Sequence, residues 1–207
     1  MSIKIRKATL DDAEFLAQMI LQSSRADKKV SLFDLVFKCK SDKELINKLK
    51  QLTQTSIKNY CHFSNFLVAE INDKRVGTLC SYEPRIATKQ SFVDSLIEIN
   101  SDDNLEEYQE LLHQCDFEQN NRTLIFDFME EVDGFIDVGI LKSLMTKSLL
   151  TARLKGYTIV QSVVEIGSLE TMLLYKKLGF NEKKQKECEL YREKFGRNGL
   201  VLLEKEF

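Results

Sequence analysis

An aspartate interrupts a strongly apolar stretch of this sequence, at position 127 within residues 124–129. A buried carboxylate costs free energy unless it has a partner, so an acid in such a stretch needs a reason. The alternation of a strand predicts that Leu124, Phe126 and Phe128 face one side and that Asp127 faces the other. Asp127 is therefore a candidate for proton transfer. The alternative is an ordinary ion pair with a neighbouring strand.

Tyr175 is the second candidate for proton chemistry. It lies within residues 168–178, whose pattern predicts a helix that ends at Gly179. A phenol is neutral at about pH 7 and can release its proton while negative charge develops on a neighbouring atom. The alternative is that Tyr175 is a half-buried packing residue on an amphipathic helix.

The elements that must position these two residues alternate between strands and helices. Thr9 followed by Asp12 predicts a helix start near residue 10, and Ser41 followed by Glu44 predicts another start within one or two helices over residues 31–61. The other predicted elements are a strand at Ile3 and Ile5, a hairpin of 66–71 and 76–82 with a turn at 72–75, strands over 124–129, 157–164 and 200–203, and helices over 139–155, 168–178 and near 189–195. The inward stripe of the 139–155 helix is predicted to be Leu141, Leu144, Met145, Ser148 and Ala152. This order predicts a mixed α/β architecture around one sheet, in a single domain over residues 1–207.

Three motifs in this order give the chain a resemblance to a known family. Residues 139–144, GILKSL, open the long helix, and residues 174–180, LYKKLGF, close the next one. With the opening IRKATLDDA of residues 5–13, the arrangement resembles that of the GNAT superfamily of acyl-coenzyme-A-dependent N-acetyltransferases. The resemblance implies an α/β (α+β) fold with one mixed central sheet flanked by helices. Residues 85–121 would then be a helical insertion.

The resemblance also implies an activity, the direct transfer of an acetyl or other acyl group from acyl-coenzyme A to a primary amine. Tyr175 matches the family's tyrosine that protonates the departing coenzyme thiolate. Asp127 lies where relatives often carry a strand glutamate that deprotonates the amine, and its shorter side chain would act through a water. Glu130 and Glu131 are further candidates for this role, or they mark the exposed end of the strand.

The family's pyrophosphate-binding loop is altered in this chain. Ile136 stands at its Arg/Gln position, Asp137 at a glycine position and Leu141 at its Gly/Ala position, so Gly139 alone matches. Backbone N–H groups at a helix N-terminus still favour an anion, whereas the charge of Asp137 would repel one. The alternative is a helix start without a ligand, and for Ser168 an N-cap role is the preferred interpretation. The resemblance implies coenzyme contacts from Val132, Val138, Gly139, Ile140, Leu141, Lys142 and Ser168.

The acidic residues of the 85–121 stretch suggest a hypothesis about the amine acceptor, in which this stretch is a lid over the site. As a lid, they would attract a cationic amine such as a lysine side chain or a polyamine. The alternative is that they form a solvated helix face, as most charge runs do. They are Glu98, Asp102, Asp103, Glu106, Glu107 and Glu110.

Composition narrows the remaining classes of function. Lys+Arg 30 against Asp+Glu 32 gives a net charge of -2, which argues against a nucleic-acid-binding surface. No apolar run suits a membrane span, and the N-terminus does not have the pattern of a signal peptide. Five scattered cysteines and two histidines predict free thiols in a reducing cytoplasm and no metal site. Two hypotheses remain for a cytoplasmic protein that could form a homodimer. One is an acyl-CoA-dependent enzyme, and the other is a catalytically silent ligand-binding or regulatory module of the same fold.

Overall fold

A computed structural model describes residues 2–26, 28–118, 120, 122–135 and 139–207. The strands of this part of the chain are β1 (Lys4–Lys7), β2 (Phe66–Ile71), β3 (Lys74–Tyr82), β4 (Leu124–Glu131), β5 (Ile159–Glu165), β6 (Asn181–Glu187) and β7 (Gly199–Glu206). They form one seven-stranded sheet among the described residues, in the order β1-β2-β3-β4-β5-β7-β6. All neighbouring strands are antiparallel except β4 and β5, so the sheet is mixed, as the sequence predicts.

Among the described residues, three α-helices begin at a side-chain cap, and the sequence predicts one of these caps, Ser41. Ser41 accepts a hydrogen bond from the backbone N–H of Glu44, and Ser31 and Thr88 cap their helices in the same way. The 85–121 stretch contains two helices, which confirms its helical prediction. The helices are α1 (Ala13–Arg25), α2 (Leu32–Phe37), α3 (Asp42–Thr53), α4 (Lys89–Glu98), α5 (Leu105–Cys115), α6 (Ile140–Leu154), α7 (Leu169–Lys177) and α8 (Glu189–Phe195).

The β2–β3 hairpin is tighter than the sequence suggests. Asn72 and Asp73 both have positive φ, at 50° and 60°, which is the conformation of a type I′ turn. The second strand therefore resumes at Lys74 rather than at Val76. Asn and Asp tolerate this left-handed conformation better than most residues, so the two central positions alone suffice to reverse the chain.

A β-bulge in β4 corrects one prediction about the side chains around Asp127. The register with β3 shifts between Thr78 and Cys80, and Phe128 adopts a φ of 43°. The bulge inserts an extra residue and rotates the side chains that follow it. Phe128 consequently packs with Ile125 on one face of the sheet, whereas Leu124 and Phe126 pack on the other. The prediction that Phe128 shares a face with Leu124 and Phe126 is therefore wrong.

Each face of the sheet is covered by its own set of helices. The buried side chains of α1 to α5 pack on the face of Ile125 and Phe128, which we name the α1 face. Those of α6 and α7 pack on the opposite face, the α6 face. Gly77 permits the close approach of α6, because a Cβ there would lie 2.8 Å from Cγ2 of Ile140 and 2.9 Å from the carbonyl oxygen of Glu130.

The central parallel strands separate soon after they pair. β4 and β5 are joined only at Leu124 opposite Val160 and Ile125 opposite Gln161. Both strands continue beyond this ladder, β4 to Glu131 and β5 to Glu165. The bulge in β4 lies shortly beyond this ladder, between Asp127 and Glu130. The described residues of the two strands are not paired there, which leaves a gap in the middle of the sheet.

Two features of the C-terminal part were not predicted. β6 is a polar edge strand, NEKKQKE, whose side chains are mostly exposed, so it lacks the apolar alternation on which strand prediction depends. Cys115 at the end of α5 forms a disulfide with Cys188, which precedes α8. The prediction of free cysteines is therefore wrong for this pair, although Cys39, Cys61 and Cys80 are free. The partners are 73 residues apart, so only the tertiary fold brings them together.

Candidate functional site

A cavity of about 870 Å³ occupies the gap between β4 and β5. Its walls include Ile125 and Phe128 from the α1 face and Val164 and Tyr175 from the α6 face. Because residues of both faces line one cavity, it passes through the sheet. Two reactants could therefore approach the same point from opposite sides.

Asp127 belongs to the α1 face of this cavity. It is directly opposite Cys80 on β3, and Cys80 packs in the core of the α1 face. The backbone N–H of Phe128 donates to Asp127 Oδ1 at 2.8 Å. Burial raises the pKa of Asp127 to about 6, against the lowering effect of that hydrogen bond and with a small contribution from the charge of Asp116. Asp127 can therefore gain or lose a proton close to neutral pH.

Tyr175 lies on the α6 face and is only 3% exposed. Ser162 on β5 donates a hydrogen bond to its hydroxyl oxygen at 2.9 Å, and the Phe180 ring packs edge-on with centroids 5.0 Å apart. Burial raises the pKa of Tyr175 well above its usual value, and the charge of Asp127 raises it further. The phenol is therefore protonated at neutral pH. Asp127 and Tyr175 are close enough for one charge to affect the other.

Gly139 is the N-cap of α6, and its φ of 85° suits a glycine. A Cβ at this position would meet none of the described residues within 4 Å. The first intrahelical bond runs from Ser143 N–H to the Gly139 carbonyl at 3.0 Å, and the amides before Ser143 precede that ladder. Leu141 lines the cavity, Ile140 is buried in the core of the α6 face, and Lys142 is exposed.

Of the other predicted coenzyme contacts, one lines the cavity, one does not, and one lies outside the described residues. Val132 donates its backbone N–H to the carbonyl of Val76 at 2.9 Å, so this donor is already used, and its side chain is not part of the cavity wall. Ser168 does line the cavity and precedes α7 as its N-cap, but its hydroxyl caps no backbone N–H. Val138, like Ile136 and Asp137, lies outside the described residues.

A cluster of charged residues around Glu165, at the end of β5, was not predicted from the sequence. Lys28 forms an ion pair with its carboxylate, and both side chains are 9% exposed. Tyr191 donates to Glu165 Oε1 at 2.7 Å, and Arg197 Nε lies 3.5 Å from Oε2. Burial, and then the charge and hydrogen bond of Glu165, raise the pKa of Tyr191. All four residues line the cavity, but they come from three distant segments, the segment after α1, the end of β5 and the region of α8, so no local motif connects them.

Two further observations limit the kind of site. Glu130 and Glu131 line the cavity as half-buried residues at the end of β4, so both remain candidates for contact with a reactant. Among the described residues, no group of three or more His, Cys, Asp or Glu side chains is arranged to hold a metal ion. In the same part of the chain, no helix combines the length and apolar character of a membrane span.

Solved structures of known proteins share this architecture. No protein-family model and no curated sequence matches the chain. Among solved structures, an N-acetyltransferase from Staphylococcus aureus Mu50 superposes with a TM-score of 0.69 at 16% identity, over 98% of this chain and 100% of that one. PaiA N-acetyltransferase from Thermoplasma acidophilum, in complex with coenzyme A, gives 0.57 at 15% identity over 100% of both chains. An acetyltransferase of the GNAT family from Streptococcus pneumoniae gives 0.56 at 17% identity, over 100% of this chain and 99% of that one.

The chain therefore has the fold of the GNAT acetyltransferases, which confirms the fold that the resemblance implied. The superpositions cover 98–100% of this chain and 99–100% of these neighbours, so the likeness extends over the whole architecture. Identities of 15–17% support the fold alone, so the activity of this chain has to be argued from its own residues.

Proposed function

We propose that this chain transfers an acetyl or other acyl group from acyl-coenzyme A to a primary amine. The observation that carries the proposal is the position of Asp127 and Tyr175, which lie on opposite faces of the sheet and line one cavity. A base on one side of a reacting carbon and an acid on the other are the two groups that direct acyl transfer requires. The fold it shares with acetyltransferases, one of them in complex with coenzyme A, supports the same assignment.

In this proposal the coenzyme occupies the α6 face. The amides that open α6 would bind its pyrophosphate, because N–H groups at a helix N-terminus attract anions. None of the described residues lies within 4 Å of a Cβ at Gly139, which supports this position. Leu141 and Ser168 line the cavity and would contact the rest of the coenzyme. Lys142 on the first turn adds a positive charge that offsets part of the repulsion expected from Asp137.

The amine would reach the thioester from the α1 face. Above a pH of about 6 the Asp127 carboxylate is ionised and can accept a proton from the amine, directly or through a water. The nitrogen then forms a bond to the acyl carbon while the carbon–sulfur bond breaks. Tyr175 donates its proton to the sulfur, because burial keeps the phenol protonated until that step. The cavity supplies proximity by holding both reactants at one gap.

Coenzyme binding is the first test of the proposal. Calorimetric titration with acetyl-CoA and free coenzyme A should show binding, and thermal unfolding should shift upward with either ligand. Leu141→Glu, which places a carboxylate in the cavity beside the helix start, should weaken binding by roughly tenfold or more. Thr146→Glu is the matched control, since it adds the same charge on the exposed side of α6 and should bind normally. Absence of binding at millimolar acetyl-CoA would remove the enzyme proposal.

One observation favours the second candidate, a catalytically silent module. The amide of Val132 is engaged by Val76, and the loop lacks its basic residue, so the coenzyme end offers fewer donors than the resemblance implied. Screening amines and peptide lysines with acetyl-CoA separates the two candidates. Release of thiol that depends on an amine supports the enzyme. Coenzyme binding without amine-dependent turnover across such a panel supports the silent module.

A further inference from the structure

Helix α5 of the insertion presents its apolar side, not its acidic side, to the cavity. Tyr108, Leu111 and Leu112 line the cavity, as does the disulfide-bonded Cys115. Glu107 pairs with Lys38 and Lys194 away from it, and the described cavity wall contains none of the insertion's six acids named above. The acidic-lid hypothesis therefore loses its basis, because those carboxylates do not face a bound reactant.

Aromatic rings extend this apolar wall towards Asp127. Tyr60 and Tyr82 have centroids 6.0 Å apart, and Phe33 and Phe128 have centroids 6.1 Å apart. All four rings line the cavity and, with Tyr108, pack on the α1 face. Such a wall gains free energy by covering an alkyl or aryl group. An ammonium group loses its hydration there, and a cation–π contact with a ring returns only part of that loss.

The charged side chains that line the cavity near α5 and α8 are already paired with each other. Lys89 pairs with Asp116 at 2.9 Å, and Glu165 is held between Lys28 and Arg197. Two cations around one carboxylate leave a positive excess, which repels a further ammonium group. The other acids in the described wall lie beyond the bulge of β4 or on the first turn of α7, and they are Glu130, Glu131, Asp133 and Glu170.

We propose that the acceptor is a primary monoamine on an alkyl or arylalkyl body without a second charge, and that polyamines are excluded. This inference rests on the proposed function and names its substrate class. The amine lies at Asp127, and its body covers the rings and the apolar side of α5. A diamine whose body covers the same rings and the same side of α5 places its second ammonium against those rings or beside Lys28 and Arg197.

The test compares hexylamine with hexamethylenediamine, which share a six-carbon chain and differ by one terminal ammonium. Binding is measured by calorimetry on the full chain saturated with free coenzyme A, at about pH 8, where the Asp127 carboxylate is ionised. We expect hexylamine to bind at least tenfold more tightly, roughly the penalty for one poorly solvated charge. Equal or tighter binding of the diamine overturns the inference. So does the absence of hexylamine binding to the coenzyme-loaded protein.

A matched pair of variants tests whether α5 causes the preference for the monoamine over the diamine. Leu112→Glu puts a carboxylate into the cavity wall from a half-buried position and should shift the preference towards the diamine by about tenfold. Gln109→Glu adds the same charge on an exposed position of the helix outside this wall and should leave the preference unchanged. An unshifted preference in a folded Leu112→Glu variant also counts against the inference. If Leu112→Glu does not fold, the wild-type comparison decides alone. Failure of coenzyme A itself to bind is a separate result, which overturns the proposed function.

Discussion

The gap between β4 and β5 and the helix start at Gly139 are the two regions of the proposed site. They differ in how they position the groups proposed to act on a reactant. In the gap, Tyr175 is fixed by the Ser162 hydroxyl and the Phe180 ring, and Asp127 is fixed next to a bulge. At the helix start none of the described residues would contact a Cβ at Gly139 within 4 Å, and Lys142 is exposed. The groups proposed for proton transfer thus depend on packed side chains, whereas the proposed anion site depends on backbone amides.

This difference explains how an altered loop can accompany two well-positioned residues that are proposed for proton transfer. A backbone N–H is supplied by every residue except proline, so an anion site at a helix start tolerates changes in its side chains. A proton donor or acceptor needs one particular functional group in a defined environment. Substitutions in the gap should therefore affect turnover, and substitutions at the helix start should affect coenzyme affinity.

The largest effect is expected from Tyr175→Phe. It removes the proposed proton donor but keeps the ring against Phe180, so turnover should fall roughly a hundredfold or more while coenzyme affinity stays unchanged. Steady-state kinetics with any acceptor found by screening measures the effect. Tyr157→Phe, outside the cavity, is the control and should retain wild-type turnover. Wild-type turnover in Tyr175→Phe would make the tyrosine a packing residue.

Asp127→Asn should lower turnover by about a hundredfold near neutral pH, because it removes the proposed base. Wild-type activity should fall as the pH drops through about 6, where Asp127 becomes protonated. The variant should lack this transition and recover partly at high pH, where more of the acceptor amine is already neutral. A variant with the wild-type pH–rate profile would assign the base role to another group.

The same variant should be more stable than the wild type at high pH. The pKa of Asp127 is raised from 3.8 to about 6 in the folded protein. Between these pH values the carboxyl group ionises in the unfolded chain but stays protonated in the fold, so the free energy of unfolding decreases. Stability is thus lost as the pH rises through about 6, and Asp127→Asn should avoid a loss of up to about 3 kcal/mol at pH 8. Below about pH 4 the two proteins should differ little, and chemical denaturation at both pH values measures this.

A smaller effect is expected from restoring the loop. Ile136→Arg with Asp137→Gly adds a charge-assisted contact and removes a repulsive carboxylate, so coenzyme A should bind roughly ten- to a hundredfold more tightly. Ile136→Gln with Asp137→Gly, without the added charge, should give a smaller gain. An unchanged dissociation constant in the folded arginine variant would place the pyrophosphate elsewhere.

Local patterns predicted most of the elements of this fold. The caps at Ser41 and Thr9, the β2–β3 hairpin and the helical insertion each have short-range chemistry that identifies them. The position of Asp127 opposite Leu124 and Phe126 also followed from strand alternation. Alternation fails at Phe128, because a bulge depends on how β4 pairs with β3 rather than on its own sequence.

The parts of the site that the sequence could not predict are those assembled from distant segments. The Glu165 cluster draws Lys28 from the segment after α1 and Tyr191 and Arg197 from the region of α8, and the Cys115–Cys188 bond joins the insertion to α8. Neither the cluster nor the disulfide has a characteristic spacing in the sequence from which it could be predicted. The sequence left two interpretations open for the acids of the insertion, a lid and a solvated helix face. The face of α5 that meets the cavity is set by tertiary packing, and the structure supports the solvated face.

The smallest effect is expected from replacing glycines at the two ends of α6. This comparison tests whether the backbone at the start of α6 binds the pyrophosphate. Gly139 and Gly156 flank α6, have φ values of 85° and 83°, and leave a Cβ free of contacts with the described residues within 4 Å. Replacing either by alanine should cost a similar stability of about 1 kcal/mol, because both backbones are left-handed. Only Gly139→Ala should also weaken coenzyme A binding, by a few-fold, since its methyl group enters the space proposed for the pyrophosphate. Paired denaturation and calorimetric titrations separate the two effects. Equal coenzyme affinity in both variants would show that the start of α6 does not hold the pyrophosphate.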